Sequence, residues 1–94
     1  MSYTLYILRC GDGTLYTGIT NDLPRRLSAH RAGTGAKYTR GRGPLSLVYT
    51  ELCADKSAAL RRELYIKHLP RPKKEALLAA AASQASKALP TANS

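Results

Sequence analysis

Two short runs near the start of the chain, Tyr3 to Arg9 and Leu15 to Thr20, are rich in Tyr, Ile, Leu and Thr and are separated by Gly11-Asp12-Gly13. Aromatic and β-branched residues on either side of a glycine-rich turn predict a β-hairpin. The length of its loop decides the chemistry, because strand side chains alternate with period two. A two-residue Asp12-Gly13 loop sets Tyr6 and Tyr16 on opposite faces. A three-residue loop with Gly13 left-handed pairs Cys10 with Thr14, Leu8 with Tyr16 and Tyr6 with Gly18, so both tyrosines share a face as diagonal neighbours about 7 to 8 Å apart. We adopt the three-residue loop as the expectation. Gly18 opposite Tyr6 would then leave room for a ligand to approach the backbone.

Asn21 to Arg31 reads as a helix, with Asp22 as N-cap, Pro24 in the tolerant first turn and Gly33 ending it. At about 100° per residue Leu23 and Leu27 form its buried stripe, Arg26 and His30 lie on the edge of that stripe, and Arg25 points to solvent. Residues 32 to 44 gather Gly33, Gly35, Gly41, Gly43 and Pro44 around Lys37, Tyr38, Arg40 and Arg42, which predicts a flexible basic loop suited to nucleic-acid phosphates. Leu45 to Leu52 is a third strand, apolar enough to be central or well covered. Asp55 caps a second helix, Lys56 to Leu69, with apolar positions Ala59, Leu60, Leu64 and Ile66 and Pro70 as its end. Glu63 falls inside that apolar arc. A shorter helix runs from Pro72 to about Ala82, and Ser83 to Ser94 is a low-complexity Ala/Ser tail that cannot bury a core.

The 94 residues suit one compact domain, residues 1 to 82, followed by the tail over 83 to 94. Fifteen Lys and Arg against six Asp and Glu give a net charge of +9, which points to a polyanionic partner such as nucleic acid rather than a small neutral ligand. No apolar run is long enough to span a bilayer and the N-terminus lacks a signal-peptide pattern, so a cytoplasmic protein without a membrane partner is expected. Cys10 and Cys53, without a CxxC spacing, read as reduced core thiols rather than as a zinc site.

Five of the six carboxylates have structural explanations: Asp12 in the turn, Asp22 and Asp55 as caps, Glu51 at a strand end and Glu75 on an exposed helix face. Glu63 stands apart. It could form an i,i+4 pair with Lys67, or hold a hard cation such as Mg²⁺, which often takes one carboxylate and completes its shell with water and phosphate oxygens. Tyr6 and Tyr16 could equally be amphipathic core residues, Arg26 a partner of Asp22, and His30 a favoured cation near a helix C-terminus. The combination says more than its members. Phosphodiester hydrolysis needs a deprotonated nucleophile, charge cancellation on the phosphoryl oxygens and help for the leaving oxygen. Tyrosine, arginine and a metal can divide those tasks if nearby cations favour a phenolate. Tyr6 or Tyr16 would stand next to the attacking water, and Arg26 would stabilise the pentavalent phosphorus.

Leu5-Tyr6 and Tyr16-Thr17-Gly18, followed by Arg26, His30 and Glu63, resemble the GIY-YIG nuclease superfamily over roughly residues 3 to 75. Thr4-Leu5 stands where the signature has Gly-Ile, and Thr17 where it has Ile. Ile19 stands where many relatives carry lysine, leaving Lys37 as an alternative cation. The resemblance implies an α/β (α+β) fold with a three-stranded antiparallel sheet flanked by helices. It further implies catalytic roles for Tyr6, Tyr16, Arg26, His30 and Glu63, with one divalent cation, Mg²⁺ or Mn²⁺, at Glu63. Gly35 to Arg40 is similar to the small stand-alone bacterial subgroup. The reading is a metal-dependent endonuclease, acting on DNA in preference to RNA with little sequence specificity or with structure selectivity. Lys37, Tyr38, Arg40 and Arg42 would contact the nucleic acid, and a protein partner for targeting stays open. The alternatives are a non-catalytic nucleic-acid-binding module and a small basic protein of a ribonucleoprotein assembly.

Overall fold

The computed structural model describes residues 2–88, with side chains described as far as Ala81. In chain order it contains β1 (Tyr3–Arg9), β2 (Leu15–Thr20), α1 (Leu23–Arg31), a 3-10 turn at Lys37–Thr39, β3 (Ser46–Cys53), α2 (Lys56–Lys67) and α3 (Arg71–Ala88). The strands form one antiparallel sheet in the order β2-β1-β3. The α+β architecture expected from the sequence is the one observed. Among the described residues no helix is long and apolar enough to cross a membrane.

The hairpin follows the three-residue register. Leu8 pairs with Tyr16 and Tyr6 with Gly18, Cys10 N–H donates to the Thr14 carbonyl at 2.8 Å, and Gly13 takes the left-handed conformation with φ of 87°. The Asp12 carboxylate accepts from both the backbone and the hydroxyl of Thr14, which stops the turn from opening. Alternation then splits β1 between two environments. Leu5 and Ile7 join Cys53, Ala59, Ile66 and Leu78 in the apolar core under α2 and α3, while Tyr6 points to the face covered by α1 and the loop after it.

Several expectations are corrected. β3 is an edge strand rather than a central or well-covered one, and Leu52 is 76 % exposed. The loop after α1 crosses beneath the hairpin turn, where Gly11 N–H donates to the Arg42 carbonyl at 2.6 Å, and this delivers β3 beside β1. On α2 only Ala59 and Ile66 are buried, whereas Leu60 and Leu64 are exposed. The small Ala59 lets the helix seat closely against the sheet and turns the flank carrying the two leucines outward. Leu23 and Leu27 are half-buried, and the buried residue of α1 is His30. α3 continues beyond Ala82 to Ala88, and residues 89–94 of the expected tail lie outside the described residues.

Asp22 and Asp55 cap their helices as expected, accepting from the backbone N–H of Arg25 and Ala58. Glu75 is no idle surface carboxylate. It accepts from Arg9 at 2.9 Å and Arg71 at 2.8 Å, and these two arginines hold its carboxyl down to about 2. Through this pair α3 is tied to the central strand. Cys10 and Cys53 are buried and free.

Candidate active site

On the α1 face of the sheet, strand register and helix spacing bring four of the five candidate catalytic residues into one cluster. Arg26 and His30 stand one helical turn apart and reach the same atom of β1. Arg26 Nε–H donates to Tyr6 Oη at 3.2 Å, and Tyr6 Oη lies 2.8 Å from His30 Nε2. Tyr16 completes the group, its ring centre 6.2 Å from that of Tyr6 and 5.2 Å from that of His30. Arg25, next to Arg26, is exposed, as its position on the helix demands.

Gly18 does not leave open space for a ligand. A Cβ there would stand 2.6 Å from the Tyr6 hydroxyl oxygen and 3.1 Å from the Tyr16 ring. The room a side chain would take is filled by Tyr6 itself, which leans across β2 to reach α1. The glycine serves the internal network, not an incoming molecule.

Burial divides the two tyrosines. Tyr6 is fully buried, while Tyr16 is half-buried and borders solvent. Burial pushes the Tyr6 phenol up, and the opposing pull of Arg26 does not overcome it. Arg26 therefore does not make Tyr6 a ready phenolate, and of the two tyrosines only Tyr16 is open to water. The hydrogen bond to Tyr6 raises Arg26 further, against the effect of burial and with help from Tyr16, so the guanidinium is a fixed positive charge. Burial, and then the charge of Arg26, lowers His30 below its usual value, which keeps the imidazole neutral.

The loop that follows α1 is tied down rather than flexible. Arg42 donates to Asp12 at 2.6 Å and lies 4.6 Å over the Tyr38 ring, and Arg40 Nε–H donates to the Gly33 carbonyl. Tyr38 in turn packs 5.8 Å from Tyr16 and is 43 % exposed. Of the four loop residues expected to contact nucleic acid, Lys37 and Arg40 present their charges to solvent, Tyr38 walls the cluster, and Arg42 is engaged within the protein. Thr39 gave no signal in the sequence, yet it is buried with its hydroxyl 2.8 Å from His30 Nδ1. A threonine inside a glycine-rich basic loop carries no pattern that distinguishes an inward hydroxyl from a solvated one.

Glu63 is not brought into the cluster. It stands on α2, one turn from Ala59 and flanking the buried stripe, and α2 covers the Leu5 and Ile7 face of the sheet. Its side chain is 18 % exposed and forms an ion pair with Lys67 at 3.3 Å. A single, partly open carboxylate of this kind fits a Mg²⁺ ion that draws its other ligands from water and substrate phosphate. Lys67 is a weak competitor, since an i,i+4 surface pair contributes only a few tenths of a kcal/mol. Among the described residues no group of three or more His, Cys, Asp or Glu gathers around a common point, so any cation here relies on few protein ligands.

Beside the cluster, at the end of the edge strand β2, an open pocket of about 520 Å³ is lined by Thr20, Asn21, Asp22, Arg25, Arg26 and Ala29. Arg26 thus borders both the tyrosine cluster and an accessible cleft.

Comparison with known proteins shows the family and the fold. Residues 2–76 match the GIY-YIG catalytic domain. The chain is 56 % identical over 73 residues to a UPF0213 protein of Halobacterium salinarum, covering 78 % of this chain and 95 % of that one. It is 55 % identical over 78 residues to a UPF0213 protein of Clostridium perfringens, covering 83 % of each. The solution NMR structure of a UPF0213 protein from Bacillus halodurans superposes with a TM-score of 0.58 at 51 % identity and covers 85 % of each chain. With the domain match spanning most of the chain, relatives more than half identical and the fold shared with a solved relative, this chain belongs to the GIY-YIG nuclease superfamily, among its small UPF0213 proteins.

Proposed function

We propose that this protein is a divalent-metal-dependent endonuclease that hydrolyses phosphodiester bonds in DNA, with little sequence preference and with selection by nucleic-acid structure. The observation that carries the reading is Arg26, held on the Tyr6 hydroxyl at 3.2 Å, beside a half-open Tyr16 and an accessible cleft. In the reaction a water oxygen attacks phosphorus, a P–O bond breaks, the water gives up a proton and the leaving oxygen gains one. Tyr16 orients the water. Arg26 stabilises the negative charge that builds on the phosphoryl oxygens, an effect strengthened by its partial burial. Tyr6 and His30 are buried and hold Arg26 and Tyr16 in place. Glu63 would hold Mg²⁺ or Mn²⁺, which supplies Lewis-acid stabilisation of charge on the phosphate when bound.

Unpaired charge supports a nucleic-acid substrate. Among the described side chains the ion pairs engage Arg9, Arg42, Arg62, Lys67 and Arg71, which leaves Arg25, Arg31, Lys37 and Arg40 on α1 and its loop, and Lys56, Arg61, Lys73 and Lys74 on α2 and α3, free of carboxylates. Backbone contacts of that sort carry no base readout, so affinity should fall steeply with salt and vary little with sequence. A cytoplasmic setting belongs to the same proposal. The non-catalytic binding module is the second reading, favoured by the position of Glu63 on the opposite face from the tyrosines.

The test is cleavage of supercoiled, branched and single-stranded DNA and of RNA with Mg²⁺ or Mn²⁺, comparing wild type with Glu63→Ala. Metal-dependent cutting by wild type alone, with binding by the variant unchanged or tighter, is expected. Loss of binding with unchanged cutting would overturn the role of Glu63. No cutting by either, with salt-dependent binding retained, would favour the binding module.

A further inference from the structure

We propose that Thr39 is a positioning residue of this site: its hydroxyl fixes which nitrogen of His30 carries the proton and, through it, which way the Tyr6 hydroxyl points. The effect on cleavage rests on the nuclease reading, but the proton placement stands without it.

Donors and acceptors around His30 fix the proton positions. Thr39 is 2 % exposed, and its Oγ1 lies 3.1 Å from the Ala36 carbonyl oxygen and 2.8 Å from His30 Nδ1. A threonine hydroxyl has one proton and a carbonyl can only accept. The Thr39 proton therefore goes to Ala36, and the Thr39 oxygen accepts from Nδ1–H. A neutral imidazole has one N–H, so Nε2 is left as a bare acceptor. Tyr6 Oη, 2.8 Å from Nε2, must then be the donor. Arg26 has no acceptor to offer, so its Nε–H takes one lone pair of the Tyr6 oxygen and leaves the other.

The chain runs in one direction: Arg26 to Tyr6, Tyr6 to His30, His30 to Thr39, Thr39 to the Ala36 backbone. Its far end is anchored, because Thr39 N–H also donates to Ala36 at 3.2 Å and closes the 3-10 turn. That turn carries Lys37 and Tyr38 outward and Thr39 inward. Gly35 backs onto the imidazole so closely that a Cβ would fall 2.6 Å from Nδ1, which holds the ring against the threonine.

Reversing the tautomer changes the chemistry of the neighbouring tyrosine. With Nε2 protonated, both His30 and Arg26 would donate to Tyr6, and Tyr6 would have to turn its own proton toward Tyr16. With Nε2 bare, Tyr6 spends its proton on His30 and offers an oxygen lone pair on the Tyr16 side. A Tyr16 hydroxyl that meets an acceptor behind it keeps its own lone pairs for water.

The experiment is ¹⁵N NMR of the imidazole nitrogens at neutral pH in wild type, Thr39→Val and Thr39→Ser, paired with DNA binding and metal-dependent cleavage. Wild type and Thr39→Ser should show Nδ1 protonated and Nε2 bare. Thr39→Val should lose that preference, and its cleavage should drop about tenfold or more with binding unchanged. A wild-type His30 with its proton on Nε2 would overturn the proposal, as would a Thr39→Val protein with the wild-type tautomer. Should Thr39→Val fail to fold, the wild-type spectrum and the Thr39→Ser pair still decide. The expected tautomers without cleavage in any variant would support the assignment of Thr39 and count against the nuclease reading alone.

Discussion

One face of the sheet packs Leu5 and Ile7 against Ala59 and Ile66 of α2 and Leu78 of α3, whereas the other packs Tyr6 against His30 of α1, which Thr39 of the following loop holds in turn. Both are buried, but they are held by different physics. Apolar burial is non-directional and tolerates exchange of one hydrocarbon for another of similar volume. The polar face is directional, and among the described residues it leaves no buried side-chain nitrogen or oxygen without a partner. Removing one member strands the next, which costs more than the bond itself is worth. A sheet that could have been covered by leucines on both sides is instead covered on one side by a network ending at Arg26 and a half-open tyrosine. That expense of specificity is what a chemical site requires.

The comparison can be broken first at the apolar face. Ile66→Ala should destabilise the fold by about 2–5 kcal/mol in urea unfolding, from lost burial plus a cavity, while cleavage at a temperature where the variant is folded stays near wild type. Equal loss of cleavage there would mean that the two faces are not separable. Next, Tyr6→Phe should cost ~1–3 kcal/mol, because Arg26 Nε–H and His30 Nε2 lose their shared partner, and it should reduce cleavage as well. Gly18→Ala should act in the same direction by overpacking, on the order of 1–3 kcal/mol, since the new methyl meets the Tyr6 hydroxyl.

Acid separates the faces without mutation. His30 in the folded state sits below its ordinary 6.5, so between those two values the unfolded chain binds the extra proton and stability falls as pH drops through that range. Glu75 is lowered from 4.5 to about 2, so its contribution is complete above 4.5 and is lost only as pH falls toward 2. Thermal melts against pH should therefore show an earlier loss from the polar face and a later one from the α3 attachment. A flat profile from neutral pH down to 4.5 would contradict a buried neutral His30. The smallest effect is expected at Lys67→Ala, a few tenths of a kcal/mol in stability, together with half-maximal cleavage at a lower Mg²⁺ concentration, because Glu63 loses its competing cation.

Much of this architecture was legible in the sequence. Period-two alternation and the Gly11-Asp12-Gly13 turn fix the strand ends, the register and the shared face of Tyr6 and Tyr16. The caps at Asp22 and Asp55 mark both helix starts. Sheet order was not legible, because the apolar run of β3 has no feature that says which strand it returns to, and the loop contact at Gly11 decides it. The helical wheel of α1 names Leu23 and Leu27 as anchors, yet a histidine anchors it, because burial of an imidazole depends on partners from two other segments. Gly18 can be read as space, but Tyr6 fills it, and how far that ring leans across β2 is set by its partners on α1. Glu63 sits beside the buried stripe as the wheel suggests, while its place across the sheet from Arg26 depends on which face α2 covers.

The central claim is that the polar face exists for chemistry and not for stability alone, and Tyr16→Phe tests it most directly, since Tyr16 is the half-open member of the cluster. Metal-dependent DNA cleavage, DNA affinity and the melting temperature would be measured on wild type and variant prepared alike. The account predicts a loss of cleavage on the order of 10²-fold or more, with affinity and melting temperature close to wild type. Cleavage at the wild-type rate, or a collapse of stability that accounts for all of its loss, would contradict it.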